Sequence, residues 1–225
     1  MRAVYCSPIY NRAHCTGKAS TWVDITQILI GTALTLLAYI MGSVSTAIIV
    51  CRILGYPDPR GEGSGNPGTT NVLRIAGKGP AALTLLGDVA KGIIPVVVSR
   101  WLQVSEWILA TVTLGAFIGH LFPIFFKFEG GKGVATAFGA VTTLSWQIGI
   151  AVMATWLVVA LITRYSSLAA IIGWALAPAF AYFIAPNYVL LLIPLSGLLI
   201  FRHKENIRKL IAGNERKIGQ KSAAT

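Results

Sequence analysis

Long apolar runs alternate with short polar connections along most of the chain. The first run covers about Ile28 to Leu54 and gives way to a polar loop containing Pro57, Asp58 and Pro59. The second, about Pro80 to Trp101, contains Asp88 and Lys91, and the third, about Trp107 to Phe126, contains His120. A fourth runs from Val134 to Ile162, and two more cover about Ser166 to Ala185 and Tyr188 to Phe201. A helix needs about 20 apolar residues to cross roughly 30 Å of hydrocarbon, whereas a barrel would show alternating strands of about ten. The pattern predicts an all-α, polytopic integral membrane protein.

Basic residues sort these runs by side. Arg52, Arg60, Arg74 and Lys78 follow the first run, and Lys127 and Lys132 follow the third. Arg202, Lys204, Arg208, Lys209, Arg216, Lys217 and Lys221 follow the last, while the other connections carry only Arg100 and Arg164. The positive-inside rule puts the three basic segments in the cytoplasm and the N-terminus outside, with Arg2, Arg12 and Lys18 weakly opposing. An even number of crossings must then join Lys132 to Arg202. The run from Val134 to Ile162 is long for one span and holds Ser145, Trp146 and Gln147 in its middle. Splitting it there predicts seven transmembrane helices, some short or broken; fusing the last two runs around Pro186 and Asn187 predicts five, as simple hydropathy does. Residues 1–26 are expected to be a polar tail or extension, 27–210 the membrane domain, and 211–225 a basic cytoplasmic tail. The first long apolar run begins too late for a signal peptide and lacks a clear cleavage site, so none is expected there.

Composition sharpens this picture. Hydrophobic residues make up 55% of the chain and charged ones 12%, against roughly 25% charged in soluble domains. Nineteen Lys and Arg face eight acids, for a formal net charge of +11. Topology and an anionic lipid surface account for much of that excess, but it also suits an anionic substrate. The cysteines, Cys6, Cys15 and Cys51, are odd in number and match neither a disulfide framework nor a zinc spacing. Cys6, His14 and Cys15 sit in an unpatterned tail and make a poor metal set.

Three polar segments share the cytoplasmic side: SGNPGTTNVLR from Ser64 to Arg74, FEGGKG from Phe128 to Gly133, and RHKENIRKL from Arg202 to Leu210. Gly65, Gly68, Gly130, Gly131 and Gly133 let backbone N–H groups approach a ligand closely. Thr69, Thr70 or Gly133 could open a helix whose unpaired N–H groups attract an anion. Arg74 offers a fork suited to phosphate and Lys132 a point charge. His203 and Asn206 fall on one face of a helix. Together these parts describe a phosphate site bordered by lipid. Each also has a plainer reading as a turn former, a solvated lysine or a surface histidine. GGKG is not a nucleotide loop, because Phe126 stands where the first glycine of that motif belongs and Gly133 follows the lysine. Asp88 and Lys91 lie where an unpaired charge costs about 3 kcal/mol; they either brace the bundle as a pair or mark a proton or ion path. His120 either reaches the site or caps its helix against Pro123.

GSVSTAIIVCR, SGNPGTTNVLR, GHLFPIFFKFEGGKGVATAFG, YSSLAA and RHKENIRKL, in that order, resemble the bacterial acyl-phosphate:glycerol-3-phosphate acyltransferases, the PlsY family. The resemblance covers about Leu37 to Leu210. It implies a seven-helix enzyme of the bacterial cytoplasmic (inner) membrane with its active site on the cytoplasmic face. The implied reaction moves a fatty acyl group from acyl phosphate to the 1-position of glycerol 3-phosphate, giving lysophosphatidic acid and phosphate, the first acylation of bacterial phospholipid synthesis. Ser64 and Arg74 would form an essential pair, and Gly130, Gly131 and Gly133 would bind phosphate around Lys132. His203 and Asn206 would complete the site, with Glu205 structural. Gly65, Asn66, Thr70, Asn71 and His120 join the glycines as candidate substrate-binding residues. Expected partners are acyl phosphate, glycerol 3-phosphate, membrane lipid and the enzyme that makes acyl phosphate; neither nucleic acid nor a cofactor is expected. The residues five after His14, His120 and His203 are Ala19, Phe125 and Arg208, so the His-x-x-x-x-Asp pair of other glycerolipid acyltransferases is absent. No paired carboxylates mark the active face, and a metal is not required. A different class, a small-anion transporter, would need a polar path for which Asp88, Lys91 and Gln147 are thin material.

Acyl phosphate is already activated, so orientation matters more than strong acid–base chemistry. Arg74, Lys132 and the glycine amides are expected to hold two anions together. Ser64, Asn206 or a backbone N–H could meet the developing oxyanion, worth about 3 kcal/mol. His203 is a candidate base or binding group, with substrate phosphate the alternative proton acceptor. Without a base beside Ser64, direct transfer is preferred to an acyl-enzyme.

Overall fold

The computed structural model describes residues 25–220; Cys6, His14 and Cys15 lie outside the described residues. These fold into α1 (Ile25–Gly42), α2 (Thr46–Ile53), α3 (Thr69–Ala76), α4 (Lys78–Trp101), α5 (Glu106–Leu121), α6 (Val134–Leu144), α7 (Trp146–Thr163), α8 (Ser166–Ile184), α9 (Val189–Arg202) and α10 (Lys204–Ile211). No strand occurs among the described residues.

The long fourth run breaks where its polar residues lie. α6 stops at Leu144, Ser145 is extended (φ −147°, ψ 108°), and α7 starts at Trp146. Among the described residues, five helical segments are long and apolar enough to cross a membrane: Ile25–Ile53, Lys78–Trp101, Glu106–Phe126, Trp146–Thr163 and Ser166–Ile184. The arm Pro186–Arg202 and the 11-residue α6 bring the apolar segments to seven. At 1.5 Å per residue α6 is only about 16 Å long, half the hydrocarbon thickness. α10 turns 57° away from the arm that precedes it.

Lipid tails are as apolar as leucine, so helices in a bilayer associate by close packing of small residues. Gly115 and Gly119, one turn apart on α5, meet α1. A Cβ on Gly119 would lie 2.2 Å from the Tyr39 carbonyl oxygen, and one on Gly115 2.6 Å from that of Thr35. Gly92 of α4 and Gly139 of α6 bring those helices together in the same way. Leu161, Phe183 and Leu86 point outward, 79%, 81% and 66% exposed, which places the most apolar surface where lipid would lie. Trp174 and Phe117 fill the interior.

The first span is interrupted between Gly42 and Thr46. A break at membrane depth frees backbone carbonyls that no water can reach. Lys91 of α4 resolves this: its Nζ donates to the Val44 carbonyl at 2.7 Å and pairs with Asp88 at 2.9 Å. The two charges therefore brace the bundle, the first of their two sequence readings. At the end of the bundle away from α10, Arg100 donates to the Leu144 carbonyl at 2.7 Å, and the Tyr188 hydroxyl donates to Glu106.

Candidate active site

The three polar segments meet in one cavity of about 170 Å³, lined by Ser64, Gly65 and Asn66 from the first, Gly130 and Lys132 from the second, and Arg202, Glu205, Asn206 and Lys209 from the third. Side-chain tethers hold them together. Asn71, buried at the start of α3, accepts from the Ser64 N–H at 2.8 Å and donates to the Pro59 and Glu62 carbonyls at 2.9 Å each. It thereby folds the first loop back on its own helix and presents Ser64, Gly65 and Asn66 to the cavity. Arg60 ties this loop to the second through Glu129 at 3.0 Å and the Phe126 carbonyl at 3.3 Å. Arg202, ending α9, donates to the Gly130 and Gly131 carbonyls at 2.8 and 3.2 Å. Its guanidinium also lies over the Phe122 ring.

The glycine loop needs its glycines for space as well as dihedral angle. Gly133 has φ +81°, and a Cβ there would lie 2.3 Å from the Phe117 ring. Gly133 caps α6, so the unpaired N–H groups of that helix's first turn lie beside Lys132. A Cβ on Gly131 would lie 2.3 Å from Nε2 of His120. His120 is thus behind the loop: its carbonyl accepts from the Gly131 N–H at 3.2 Å and its Nδ1 bonds the Thr136 hydroxyl at 3.1 Å. It does not line the cavity. Neither do Asn71, which shapes the loop, Thr70, whose hydroxyl bonds that of Ser166 at 3.4 Å, or Gly131, Gly133, Arg74 and His203.

Lys132 is the electrostatic centre. Burial pushes its ammonium down to about 8; Glu215 pulls the other way, and Lys209, Arg74 and Arg202 add to the depression. Arg74 is half-buried nearby. Its Nη2 donates to the Arg216 carbonyl at 3.3 Å, and its Nε is buried without a hydrogen-bond partner. His203, at the bend between α9 and α10, is 2% exposed. Its Nδ1 bonds the Leu199 carbonyl at 2.8 Å, so that nitrogen carries the proton and Nε2 is left as an acceptor. Burial pushes its pKa down to about 4, so the ring is neutral near pH 7.

Four groups near the site escaped the reading by residue type. Arg202 and Lys209 looked like topological charge, and Ser167 belonged to a stretch read as part of a span. Glu215 lies in a tail with no pattern. Its Oε1 accepts from Ser167 Oγ at 2.7 Å and from Asn206 Nδ2 at 2.8 Å. The segment that carries it returns along the corner between α7 and α8, where the Ile218 N–H donates to the Arg164 carbonyl at 2.7 Å.

A multi-pass helical membrane protein with a cationic, glycine-walled cavity at one end of its bundle is equipped to bind an anion at a lipid boundary. Comparison with known proteins makes the class specific. Residues 32–213 match the family model described as glycerol-3-phosphate acyltransferase, and the chain belongs to that family. It is 50% identical over 193 residues to the glycerol-3-phosphate acyltransferase of Shewanella loihica, covering 86% of this chain and 95% of that one. Against the enzyme of Vibrio vulnificus it is 50% identical over 188 residues, covering 84% and 93%. Its fold matches the crystal structure of PlsY, an integral membrane glycerol 3-phosphate acyltransferase, in the glycerol 3-phosphate form. That match has a TM-score of 0.80 at 36% identity, over 84% of this chain and 96% of that one. The lysophosphatidic acid form matches with a TM-score of 0.78 at 35% identity. The protein is an acyltransferase of the membrane.

Proposed function

We propose that the protein transfers a fatty acyl group from acyl phosphate to the 1-hydroxyl of glycerol 3-phosphate at the cytoplasmic face of a bacterial inner membrane, with the N-terminus outside. The observation that carries this is the convergence of Ser64, Lys132 and Asn206 on one cavity. Relatives named for glycerol 3-phosphate, and a structural neighbour captured with it, support the acceptor.

Both substrates carry phosphate, so the site must hold two anions close together. Lys132, Arg74 and the N–H groups at the start of α6 supply the positive field. The Arg74 guanidinium, close enough to depress the Lys132 pKa, adds its charge to that field. Attack by the glycerol hydroxyl forms a C–O ester bond and breaks the bond from the acyl carbon to the phosphate oxygen. The proton passes to the departing phosphate. His203 is ill-suited to take it, since a ring with a pKa of about 4 is a weak base. Its Nε2 can instead accept a hydrogen bond from the acceptor's other hydroxyl, the one that does not react. Ser64 presents a hydroxyl to the cavity with no base in contact, which favours direct transfer over an acyl-enzyme.

Purified protein in detergent, given palmitoyl phosphate and glycerol 3-phosphate, is expected to form lysophosphatidic acid and inorganic phosphate in equal amounts. Product formation with acyl coenzyme A and none with acyl phosphate would refute the donor; no acylation from either would refute the reaction. Radiolabelled acyl phosphate should leave no acyl group on Ser64 after denaturation, and a label retained there would overturn direct transfer.

A further inference from the structure

The carboxylate of Glu215 comes from outside the three polar segments yet contacts the third of them. It receives hydrogen bonds from the amide nitrogen of Asn206 on α10 and from the hydroxyl of Ser167 at the start of α8. Its segment is fastened on both sides. The Asn214 N–H donates to the Lys209 carbonyl at 2.8 Å, the Ile218 N–H bonds the Arg164 carbonyl, and Arg74 grips the Arg216 carbonyl. Lys217 lies over the Tyr165 ring. The strap is therefore placed by several contacts, and Glu215 is delivered to one position.

An ionised carboxylate has acceptors only. Asn206 must turn its NH2 toward Glu215, and its carbonyl oxygen then faces away from that contact. Asn206 also lines the cavity. We infer that Glu215 is a positioning residue: it fixes the Asn206 amide so that the carbonyl oxygen, not the NH2, serves the cavity and accepts a hydrogen bond from the acceptor's glycerol hydroxyl. This rests on the acyl-transfer reading above, and it removes Asn206 from the candidates for oxyanion donor. An acceptor there suits a substrate whose reacting end is a hydroxyl, because it orients the O–H and leaves the oxygen lone pair free to attack.

The same carboxylate has a second effect, on Lys132. The charged groups around Lys132 are Glu215 from the strap, Lys209 from α10, Arg74 from α3 and Arg202 from α9, with Glu205 on the cavity wall and neutral His203 at the bend. Glu215 is the group among the first four that favours the ammonium. Removing its charge lowers the pH at which Lys132 becomes neutral.

The test uses the full chain in detergent, with glycerol 3-phosphate and acyl phosphate, and folding of each variant checked by thermal melting. Asn206→Asp places two carboxylates in contact and removes the NH2 that held them together; kcat/KM at about pH 7.5 is expected to fall roughly a hundredfold. Adding Glu215→Gln supplies the missing NH2 from the other side and keeps the net charge. The carboxylate introduced on α10 can then offer only acceptors to the cavity, and the double variant is expected to recover at least about tenfold over the single one. Glu215→Gln alone is expected to move the alkaline limb of kcat/KM to lower pH. A double variant that melts like wild type yet is no more active than Asn206→Asp would show that the cavity needs the NH2, and would overturn the inference. A Glu215→Gln profile superimposable on wild type would overturn the effect on Lys132. Wild-type protein that makes no lysophosphatidic acid would instead sink the acyl-transfer reading itself.

Discussion

Lys132 offers the most direct test of how the site holds phosphate. Burial sets its pKa at about 8, below its ordinary value of 10.5. The ammonium is therefore about 90% charged at pH 7, half charged at pH 8 and about 10% charged at pH 9. The sign follows: a lysine with a depressed pKa loses its charge as pH rises, so anion binding weakens on the alkaline side. If the free enzyme binds glycerol 3-phosphate only with Lys132 charged, the apparent KM rises roughly tenfold between pH 7 and pH 9. The substrate stays dianionic across that window, since a phosphate monoester's second pKa is near 6. Bound dianion restores the ammonium, so kcat changes less than kcat/KM. The assay is initial-rate kinetics on detergent-solubilised protein, with acyl phosphate replenished to offset its alkaline hydrolysis. Lys132→Arg provides the control, because a guanidinium stays charged throughout and the alkaline limb should vanish even though the altered geometry slows turnover. A wild-type KM unchanged within a factor of two between pH 7 and 9, or a limb that survives in Lys132→Arg, would refute the assignment.

Other expectations follow from the same geometry. Arg74→Lys loses the fork that grips the Arg216 carbonyl, and kcat/KM should fall roughly thirtyfold; wild-type kinetics would remove Arg74 from the phosphate role. With its pKa at about 4, His203 should contribute no inflection in kcat near pH 6.5. Wild type and His203→Gln should share a profile shape from about pH 5.5 to 7.5, and an inflection confined to wild type would restore the ring as base. Lys91→Met strips the cap from the Val44 carbonyl and isolates Asp88. It should cost about 3 kcal/mol of stability, read as a lower melting temperature, with partial recovery when Asp88→Asn is added; an unchanged melting temperature would contradict the bracing role.

What the sequence made legible depended on how local each signal was. The apolar runs and their polar interruptions are local, so the split of the fourth run at Ser145 could be read from composition and a parity count. The convergence of the three loops was likewise an inference from sidedness, because basic residues record which loops share an aqueous boundary. Their fastening was not legible. Arg60 and Arg202 bind carbonyls on a loop about 70 residues away in sequence, and nothing in either residue's neighbours marks that partner. The roles of Asn71 and His120 were also hidden. A residue type names the hydrogen bonds a side chain can make, but not whether a ligand or its own loop receives them. Asn71 directs its side-chain bonds to the loop, and His120 gives its carbonyl to Gly131. Glu215 went unread for a related reason: it sits in a basic tail, and only folding puts it against Asn206.

The buried charges of the bundle and the chemistry of the loop belong to one construction. Asp88 pairs with Lys91 at 2.9 Å and lies 3.6 Å from Nδ1 of His120, which also bonds Thr136 on α6. Lys91 in turn holds the broken first span at Val44. One cluster thus joins the break between α1 and α2 to α4, α5 and α6. Its upper face is the His120 ring, directly beneath Gly131. A glycine loop at the end of an apolar helical bundle cannot rely on a surrounding polar matrix to hold its amides in place. Here the rigidity comes from below, through a cluster of paired charges inside the bundle, and from the side, through Arg202 on the loop carbonyls. The arrangement explains why charges at membrane depth need not form a conduit. Each of these groups is committed to a backbone or side-chain partner that fixes a helix break or the glycine loop. A proton moving through the cluster would have to break the contacts that shape the loop.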